Sequence, residues 1–269
     1  MEEKEIMKMT DMDIHWWRTD FTDEDIERVG ESIRNYNISM GRVTEELEQR
    51  LAEALDVPYV VMTTSGSIAI LLALMALGIE AGDEVIVPNR TWIATAHAPM
   101  MLGAKPVLVD TLSDRPVMDT SNIREKITSR TKAIIPVPLN GRAVDMDEVW
   151  EIAKEYGLIV VEDSAQGLFS KYHGRYMGTL SDAGCFSFSV AKLIPTGQGG
   201  FVVTRRKEIF EKLRLIRTHG VKNVHTGSPF LRMGFNFRYT DIQASIGLVR
   251  LSKVTERIQH LVRLYEKYR

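Results

Sequence analysis

The hydrophobic positions between about residue 58 and residue 204 form short continuous runs separated by longer stretches of helical character. Most runs are rich in β-branched residues and apolar throughout, which is typical of strands covered on both faces. The intervening stretches, such as 67–78, 91–102 and 145–157, have the length and composition of helices. Strands are therefore predicted at 58–62, 84–88, 106–110, 132–137, 157–161, 184–189 and 200–204.

The regular alternation of strands and helices predicts the fold class. It indicates a three-layer α/β/α domain around a mostly parallel seven-stranded sheet. Only a loop separates the last two strands, which leaves no room for a crossover helix. The final strand is therefore predicted to run antiparallel to its neighbour.

Helical patterns flank this domain on both sides. Two amphipathic helices are predicted at 23–35 and 43–55, and a long helix with an apolar stripe is predicted from Thr240 onward. We expect a helical segment over 1–57, a large α/β domain over 58–220, and a loop and long helix over 221–269. No Gly, Asn or Pro ends the last helix, so more chain or another subunit is expected to cover its stripe.

Composition narrows the class of protein. The 269 residues are 44% hydrophobic and 26% charged, with a formal net charge of -2, which excludes a disordered or fibrous chain. A balanced charge gives no electrostatic reason to expect nucleic acid or a membrane surface as a partner. The single cysteine, Cys185, excludes an intrachain disulfide, and the acidic N-terminus does not resemble a signal peptide. A cytoplasmic protein is expected, and the six histidines lack metal-ligand spacing.

Polar residues follow several of the predicted strands. In an open α/β sheet ligands bind outside the carboxyl ends of the strands, so these residues are expected to meet in one crevice. They are the segments 64–67, 89–92 and 140–142 and the residues Asp163, Gln166 and Lys192.

Lys192 and Asp163 have the chemistry that pyridoxal phosphate requires. A lysine amine can form a Schiff base with the cofactor aldehyde, and an aspartate beneath the ring can keep the pyridine nitrogen protonated. The alternatives are a solvated loop lysine and an aspartate that caps a helix or pairs with an arginine. The glycines and apolar strands around Lys192 favour the first interpretation.

The segment 64–67 opens a helix with small and hydroxyl residues. Backbone N–H groups there can bind a phosphate, although simple N-capping explains the segment equally well. Ser187 is a candidate for the same phosphate, or else an ordinary strand serine. Trp92 can stack on a flat cofactor, although such a residue is more often part of a core. Gln166 can donate to the cofactor's phenolate oxygen.

Several of these segments resemble the DegT/DnrJ family of sugar aminotransferases, which have the aspartate aminotransferase-like fold (fold type I). The resemblance covers nearly the whole chain and includes the segments 64–70, 82–96, 103–110, 137–147, 160–166, 178–204 and 234–248. It implies that Lys192 is the Schiff-base lysine and that Asp163 contacts the pyridine nitrogen. The other implied cofactor contacts are Gln166 at the ring oxygen, Trp92 on the ring, and Gly66, Ser67 and Ser187 at the phosphate. Asn236 matches an asparagine that reaches the neighbouring subunit's phosphate, which implies a homodimer with shared sites.

Departures from the family pattern refine the expectation. Ser67 replaces a more usual threonine and keeps the hydroxyl. Dehydratase relatives carry histidine in place of the lysine, so the intact Lys192 favours transamination. Family members continue after the long helix, so the small C-terminal domain is expected to be incomplete in this chain.

The function predicted from the resemblance is amino transfer to a sugar. The substrate would be a nucleotide-linked keto sugar, specifically a 4-keto-6-deoxyhexose, and glutamate would be the amino donor. The alternative is a non-catalytic PLP-binding or regulatory homologue without a complete sugar pocket. A nicotinamide-dependent oxidoreductase is disfavoured because no GxGxxG follows the first strand.

Overall fold

The computed structural model of the chain describes residues 19–222 and 228–268. The first eighteen residues of the predicted segment 1–57, and residues 223–227 and Arg269 of the predicted loop and helix over 221–269, lie outside the described residues. In chain order the helices are α1 Asp23–Arg34, α2 Arg42–Leu55, α3 Gly66–Leu77, α4 Ala94–Met101, α5 Met146–Tyr156, α6 Lys207–Arg217, α7 Asp241–Ser252 and α8 Val254–Tyr268. The strands are β1 Tyr59–Thr63, β2 Glu84–Pro88, β3 Lys105–Val109, β4 Thr131–Ile134, β5 Ile159–Asp163, β6 Lys171–Tyr172, β7 Arg175–Tyr176, β8 Ala183–Ser187 and β9 Gly200–Thr204. Short 3-10 turns occur at Thr120–Asn122, Arg124–Lys126 and Leu139–Gly141.

The main sheet has seven strands in the order β1-β9-β8-β5-β4-β2-β3. Strand β9 runs antiparallel to both of its neighbours, and the other pairings are parallel. The predicted fold class and the reversed final strand are thus confirmed. Because β1, β2, β4, β5 and β8 are parallel, their carboxyl ends lie at one edge of the sheet.

Five of the seven strands have different bounds from those predicted, and β5 and β4 differ most. Strand β5 begins at Ile159 because Gly157 ends α5 in a left-handed conformation, with φ of 66°. The strand extends to Asp163, which pairs in register with Cys185 of β8. Strand β4 ends at Ile134, before Pro136, which has no N–H to donate to a ladder.

Helices cover both faces of the sheet. Alternate residues of a strand point to opposite faces, and on β1 the side chain of Val61 packs with the α3 and α6 layer. Its neighbours Val60 and Met62 pack against α2 on the other face. Helix α5 covers that second face over β2, β4 and β5. The molecule therefore has three layers.

The C-terminal helical region differs from the single long helix predicted from Thr240. The helix breaks at Lys253, which separates α7 from α8. The Ser252 hydroxyl bonds the Val249 carbonyl oxygen at 2.8 Å and competes with the helical pattern. At the break, the Lys253 ammonium pairs with Glu24 of α1 at 2.5 Å.

Buried polar contacts attach the N-terminal helices to α7. The Asp241 carboxylate accepts hydrogen bonds from the N–H groups of Gly41 at 2.8 Å and Thr44 at 2.9 Å and from the Thr44 hydroxyl at 2.7 Å. It therefore caps the start of α2, a helix to which it does not belong. Deeper in the same interface, Arg250 of α7 forms a buried ion pair with Asp25 of α1, with Nε 2.8 Å from Oδ1.

No helix in 19–222 or 228–268 is long and apolar enough to cross a membrane. The same ranges contain no group of three or more His, Cys, Asp or Glu side chains placed to hold a metal ion.

Candidate active site

A cavity of about 690 Å³ opens at the carboxyl edge of the sheet, where the sequence predicted a crevice. The start of α3, the segment before α4, the end of β5 and the loop after β8 form its walls. Of the eight predicted site residues, all but Asn236 line it, namely Gly66, Ser67, Trp92, Asp163, Gln166, Ser187 and Lys192.

Lys192 and Asp163 have opposite charges and interact inside this cavity. Lys192 is half-buried, and this burial lowers the pKa of its ammonium group, while the nearby charge of Asp163 acts in the opposite direction. Asp163 is 4% exposed, and burial raises the pKa of its carboxyl group. Hydrogen bonds from Thr95 and Ala165 and the charge of Lys192 oppose that rise. The solvated loop lysine considered from the sequence is therefore not what the structure contains.

The first turn of α3 forms one wall of the cavity. Ser65 is the N-cap, and its side chain accepts a hydrogen bond from the Ile68 N–H at 3.2 Å. The capping role considered from the sequence is therefore present. Gly66 and Ser67 nevertheless face the cavity. A Cβ atom at Gly66 would lie 2.7 Å from the Cβ atom of Ser187, so the turn approaches β8 as closely as glycine permits.

Gln166 and Trp92 complete two other walls. The Gln166 side-chain oxygen accepts a hydrogen bond from the Asn140 N–H at 3.0 Å. This contact leaves the amide nitrogen of Gln166 free to act as the donor that was predicted from the sequence. Trp92 is 72% exposed and lines the cavity, which excludes the alternative of a core tryptophan.

Other predicted residues lie elsewhere. Asn236 is exposed and forms an isolated β-bridge with Thr218, outside the cavity of its own subunit. Asn89, Arg90 and Arg142 follow the expected strands but do not line the cavity. The side-chain amide of Asn89 instead donates a hydrogen bond to the Asp110 carboxylate.

The structure also adds residues that the sequence analysis did not single out. Thr95 is fully buried, and its hydroxyl lies 2.6 Å from Oδ2 of Asp163. Sixty-eight positions separate the two residues, so no local pattern connects them. Leu168, Ser189 and Gln198 also line the cavity outside the predicted set, whereas Ser65, Thr91 and Asn140 belong to segments that were predicted to meet there.

The residues around the cavity fit pyridoxal phosphate. Asp163 is a buried acid whose carboxylate accepts bonds from two donors among residues 19–222 and 228–268, namely Thr95 and Ala165. That leaves acceptor capacity for a protonated ring nitrogen. The helix start at Gly66 and Ser67 offers backbone N–H groups for a phosphate. Lys192 supplies an amine whose neutral form is favoured by burial.

Comparison with known proteins gives a consistent result. The DegT/DnrJ/EryC1/StrS aminotransferase family matches residues 19–269. A GDP-perosamine synthase from Caulobacter vibrioides is 40% identical over 232 residues, which are 85% of this chain and 62% of that protein. A GDP-perosamine synthase from Escherichia coli O157:H7 is 38% identical over 93% of this chain and 70% of its own length. The chain thus spans between three fifths and three quarters of these relatives.

Solved structures agree with these sequence relatives. The putative sugar aminotransferase Spr1654 from Streptococcus pneumoniae, in its PMP form, has a TM-score of 0.89 and 29% identity, over 95% of this chain and 71% of that one. Helicobacter pylori PseC, an aminotransferase of pseudoaminic acid biosynthesis, has a TM-score of 0.85 and 30% identity, over 90% of this chain and 66% of that one. Spr1654 has also been solved in a PLP form, so the cofactor predicted from the sequence is confirmed at the level of the family. With its fold, its cavity and its relatives in agreement, the chain belongs to the DegT/DnrJ/EryC1/StrS aminotransferase family.

Proposed function

We propose that this chain carries the cofactor site of a PLP-dependent sugar aminotransferase. The observation that supports it most is the joint position of Lys192, Asp163 and the α3 start around one cavity. Pyridoxal phosphate, when bound, would supply an electron sink and an amine carrier. Lys192 would hold the cofactor and move a proton at the reacting carbon, for which the lowered pKa of its amine suits it.

The remaining predicted residues have supporting roles in this proposal. Asp163 would keep the ring nitrogen protonated, and Gln166 would donate to the ring oxygen. Gly66, Ser67 and Ser187 would hold the phosphate, while Trp92 would cover one face of the ring. Each of these side chains or backbone groups borders the same cavity.

The substrate proposal rests on the relatives. Two of them are named GDP-perosamine synthases, and another, from Acidithiobacillus ferrooxidans, is named a UDP-N-acetyl-3-dehydro-alpha-D-glucosamine 3-aminotransferase. We therefore propose a nucleotide-linked keto sugar as the amine acceptor, specifically a 4-keto-6-deoxyhexose. Glutamate is the proposed amino donor.

We further propose a homodimer with shared sites. Asn236 is exposed and lies away from its own subunit's cavity, a position compatible with a contact to a neighbouring subunit. Large apolar side chains near it are also exposed, namely Phe230, Leu231, Met233 and Phe235. Exposed apolar patches of this kind commonly mark protein interfaces.

The test is a half-reaction followed by absorbance. The chain, loaded with pyridoxal phosphate, is mixed with glutamate, and conversion to the pyridoxamine form is expected together with one equivalent of 2-oxoglutarate. Adding a GDP- or UDP-linked 4-keto-6-deoxyhexose should then restore the original spectrum and yield an amino sugar. The Lys192→Ala variant should lack both the lysine-bound cofactor band and turnover.

Two results would contradict the proposal. If wild-type protein binds the cofactor but glutamate never converts it, the non-catalytic PLP-binding homologue is the correct reading. If the absorbance band and turnover persist in Lys192→Ala, Lys192 does not hold the cofactor.

A further inference from the structure

Thr95 lies at a junction between the helix α4 and the end of β5. It is fully buried, and its Oγ1 lies 2.6 Å from Oδ2 of Asp163. The same Oγ1 lies 2.9 Å from the hydroxyl of Thr91 and 3.0 Å from the carbonyl oxygen of Trp92. Thr91 borders the cavity. The hydroxyl groups of Thr91 and Thr95 therefore form a hydrogen-bonded chain from the cavity wall to the buried carboxyl group.

The ionisation state of Asp163 decides the direction of the hydrogen bonds in this cluster. A threonine hydroxyl has one proton to donate and two lone pairs to accept with. When Asp163 is ionised, the Thr95 hydroxyl donates its hydrogen bond to the carboxylate, which is the nearest and most negative acceptor. The oxygen of Thr95 can then accept a hydrogen bond from the Thr91 hydroxyl. If Asp163 were protonated, its carboxyl group could donate a hydrogen bond to the Thr95 oxygen. The Thr95 hydroxyl would then donate to the Trp92 carbonyl oxygen.

Within the part of the chain that the structure describes, each of the two oxygens of Asp163 has a single donor. Thr95 serves Oδ2, and the Ala165 N–H serves Oδ1 at 3.3 Å. A bond at 2.6 Å from a hydroxyl to a carboxylate has the length of a strong charge-assisted hydrogen bond, whereas 3.3 Å is long for an N–H donor. The contact with Thr95 is therefore the stronger of the two.

We propose that Thr95 is a positioning residue for Asp163. Its hydroxyl, supported by that of Thr91, holds the carboxyl group in the ionised form and fixes its orientation at the floor of the cavity. This inference rests on the proposed function, because the charge of Asp163 matters to catalysis only if a ring nitrogen binds there.

Other groups near Asp163 make this support necessary. Burial raises the pKa of the carboxyl group, and Thr95 is the largest influence in the opposite direction, ahead of Ala165 and Lys192. Glu162 precedes Asp163 on β5, and Cys185 of β8 pairs with Asp163 in register. Both carboxyl groups act on the Cys185 thiol and raise its pKa further above the value that burial gives. Of these ionisable neighbours, only Lys192 stabilises the negative charge.

The experiment compares Thr95→Val, which removes the hydroxyl at nearly constant volume, with Thr95→Ser, which retains it. Cofactor-free protein labelled with 13C at the aspartate carboxyl carbons is titrated by NMR, and Asp163→Asn identifies the signal. In Thr95→Val we expect the pKa of Asp163 to rise by about one unit or more, a tenfold change in its protonation equilibrium. Thr95→Ser should stay within a few tenths of wild type.

A second measurement uses the protein with pyridoxal phosphate bound. With 15N-labelled pyridoxal phosphate, the ring nitrogen signal of Thr95→Val should shift toward the unprotonated position, because a more basic Asp163 retains the proton. A purely structural defect would not move this signal in a consistent direction. Thr91→Val should change both readings in the same direction by less, since Thr91 acts through Thr95.

The outcomes separate cleanly. A wild-type titration in a folded Thr95→Val, or an equal shift in Thr95→Ser, overturns the inference. If Thr95→Val does not fold, Thr91→Val decides: a raised pKa of Asp163 supports the inference and an unchanged one overturns it. Failure of wild-type protein to bind the cofactor would refute the proposed function, while the carboxyl titration would still decide the role of Thr95.

Discussion

Lys192 and Asp163 show how two buried charges can depend on each other. Burial lowers the pKa of the lysine and raises that of the aspartate, so each group alone would tend to be neutral. The opposite charge of the partner counteracts both shifts. Removing either side chain is therefore expected to change the ionisation of the other.

Gly66 offers a test of the close approach between α3 and β8. A Cβ atom there would lie 2.7 Å from the Ser187 Cβ and 3.3 Å from its Cα. Gly66→Ala should therefore lower the free energy of unfolding by about 1–3 kcal/mol and weaken binding of the cofactor phosphate. Urea unfolding and a titration with pyridoxal phosphate measure the two effects.

Gly30→Ala is the matched control for this change. Its added Cβ would meet only the flexible guanidinium end of Arg34, at 3.2 Å, in the middle of helix α1. It should be neutral or stabilise by about 0.5–1 kcal/mol. Equal stability and cofactor affinity in Gly66→Ala and wild type would mean that the turn is not confined as described.

The residues that the sequence predicted correctly to line the cavity were those whose chemistry and position were both informative. Lys192 and Asp163 were predictable because each follows or ends an apolar strand at the edge where ligands bind. Thr95 was not predictable, since a threonine in a helix is common and its partner is 68 positions away. Only the packing of α4 against the sheet brings the two together.

At the scale of elements, β5 and β2 carry two buried glutamates with opposite pKa shifts. Burial raises the pKa of Glu162 to about 7, against the pull of hydrogen bonds from the backbone of Gly178 and Leu180. Hydrogen bonds from Thr128 and Arg130 lower the pKa of Glu84 to about 2. Their contributions to stability must therefore respond to pH in opposite directions.

For Glu162 the folded pKa of about 7 exceeds the ordinary value of 4.5. Its contribution is complete below pH 4.5 and is lost as pH rises through 7, by up to about 3 kcal/mol. Glu162→Gln cannot titrate, so its stability deficit relative to wild type should shrink between pH 5 and pH 8. Urea unfolding at both pH values measures the difference.

For Glu84→Gln we expect the opposite dependence of the stability deficit on pH. The lowered pKa of Glu84 gives stability that is present above pH 4.5 and lost as pH falls toward 2. The deficit of Glu84→Gln should therefore shrink as pH falls from 5 to 3. A deficit that moved in the same direction with pH for both glutamate variants would contradict the assigned shifts.

The cap that Asp241 provides to α2 is a contact between elements distant in sequence. Asp241→Ala removes the acceptor of the N–H groups of Gly41, Val43 and Thr44 and of the Thr44 hydroxyl, so a loss of about 2–4 kcal/mol is expected in urea unfolding. Asp145→Ala, at the exposed N-cap of α5, should cost only about 0.5–2 kcal/mol. The cap is not important if both variants lose the same amount.

Element positions followed the hydrophobic pattern well where runs were long and continuous. The break at Lys253 was missed because its neighbours are ordinary helix residues, and neither the Ser252 hydroxyl bond nor the ion pair with Glu24 is visible in the hydrophobic pattern. The hairpin of β6 and β7 was missed as well, since strands of two residues have no measurable periodicity.

On the scale of the whole molecule, a buried ion pair joins residues 225 positions apart. Asp25→Asn would leave Arg250 charged and unpaired in the interface between α1 and α7. Loss of about 3–5 kcal/mol in the free energy of unfolding is expected. Glu27→Gln, which breaks the exposed pair with Arg34, should cost no more than about 1 kcal/mol.

The double variant Asp25→Asn/Arg250→Met should recover much of the loss, because it leaves no buried charge. If the double variant were as unstable as Asp25→Asn, packing of the arginine side chain rather than its charge would be the cause.

The position of β9 has a consequence for synthesis on the ribosome. Among the described strands, β1 pairs with β9 alone, matching Thr63 with Gly200 and Tyr59 with Thr204. At an elongation rate of about 5–20 residues per second, β1 waits on the order of ten seconds for its partner to be translated. During that time β1 cannot occupy its final place in the sheet, and the first turn of α3 cannot pack against β8. The phosphate end of the cavity is therefore assembled late, after the strands β2 to β5 have had the opportunity to pair.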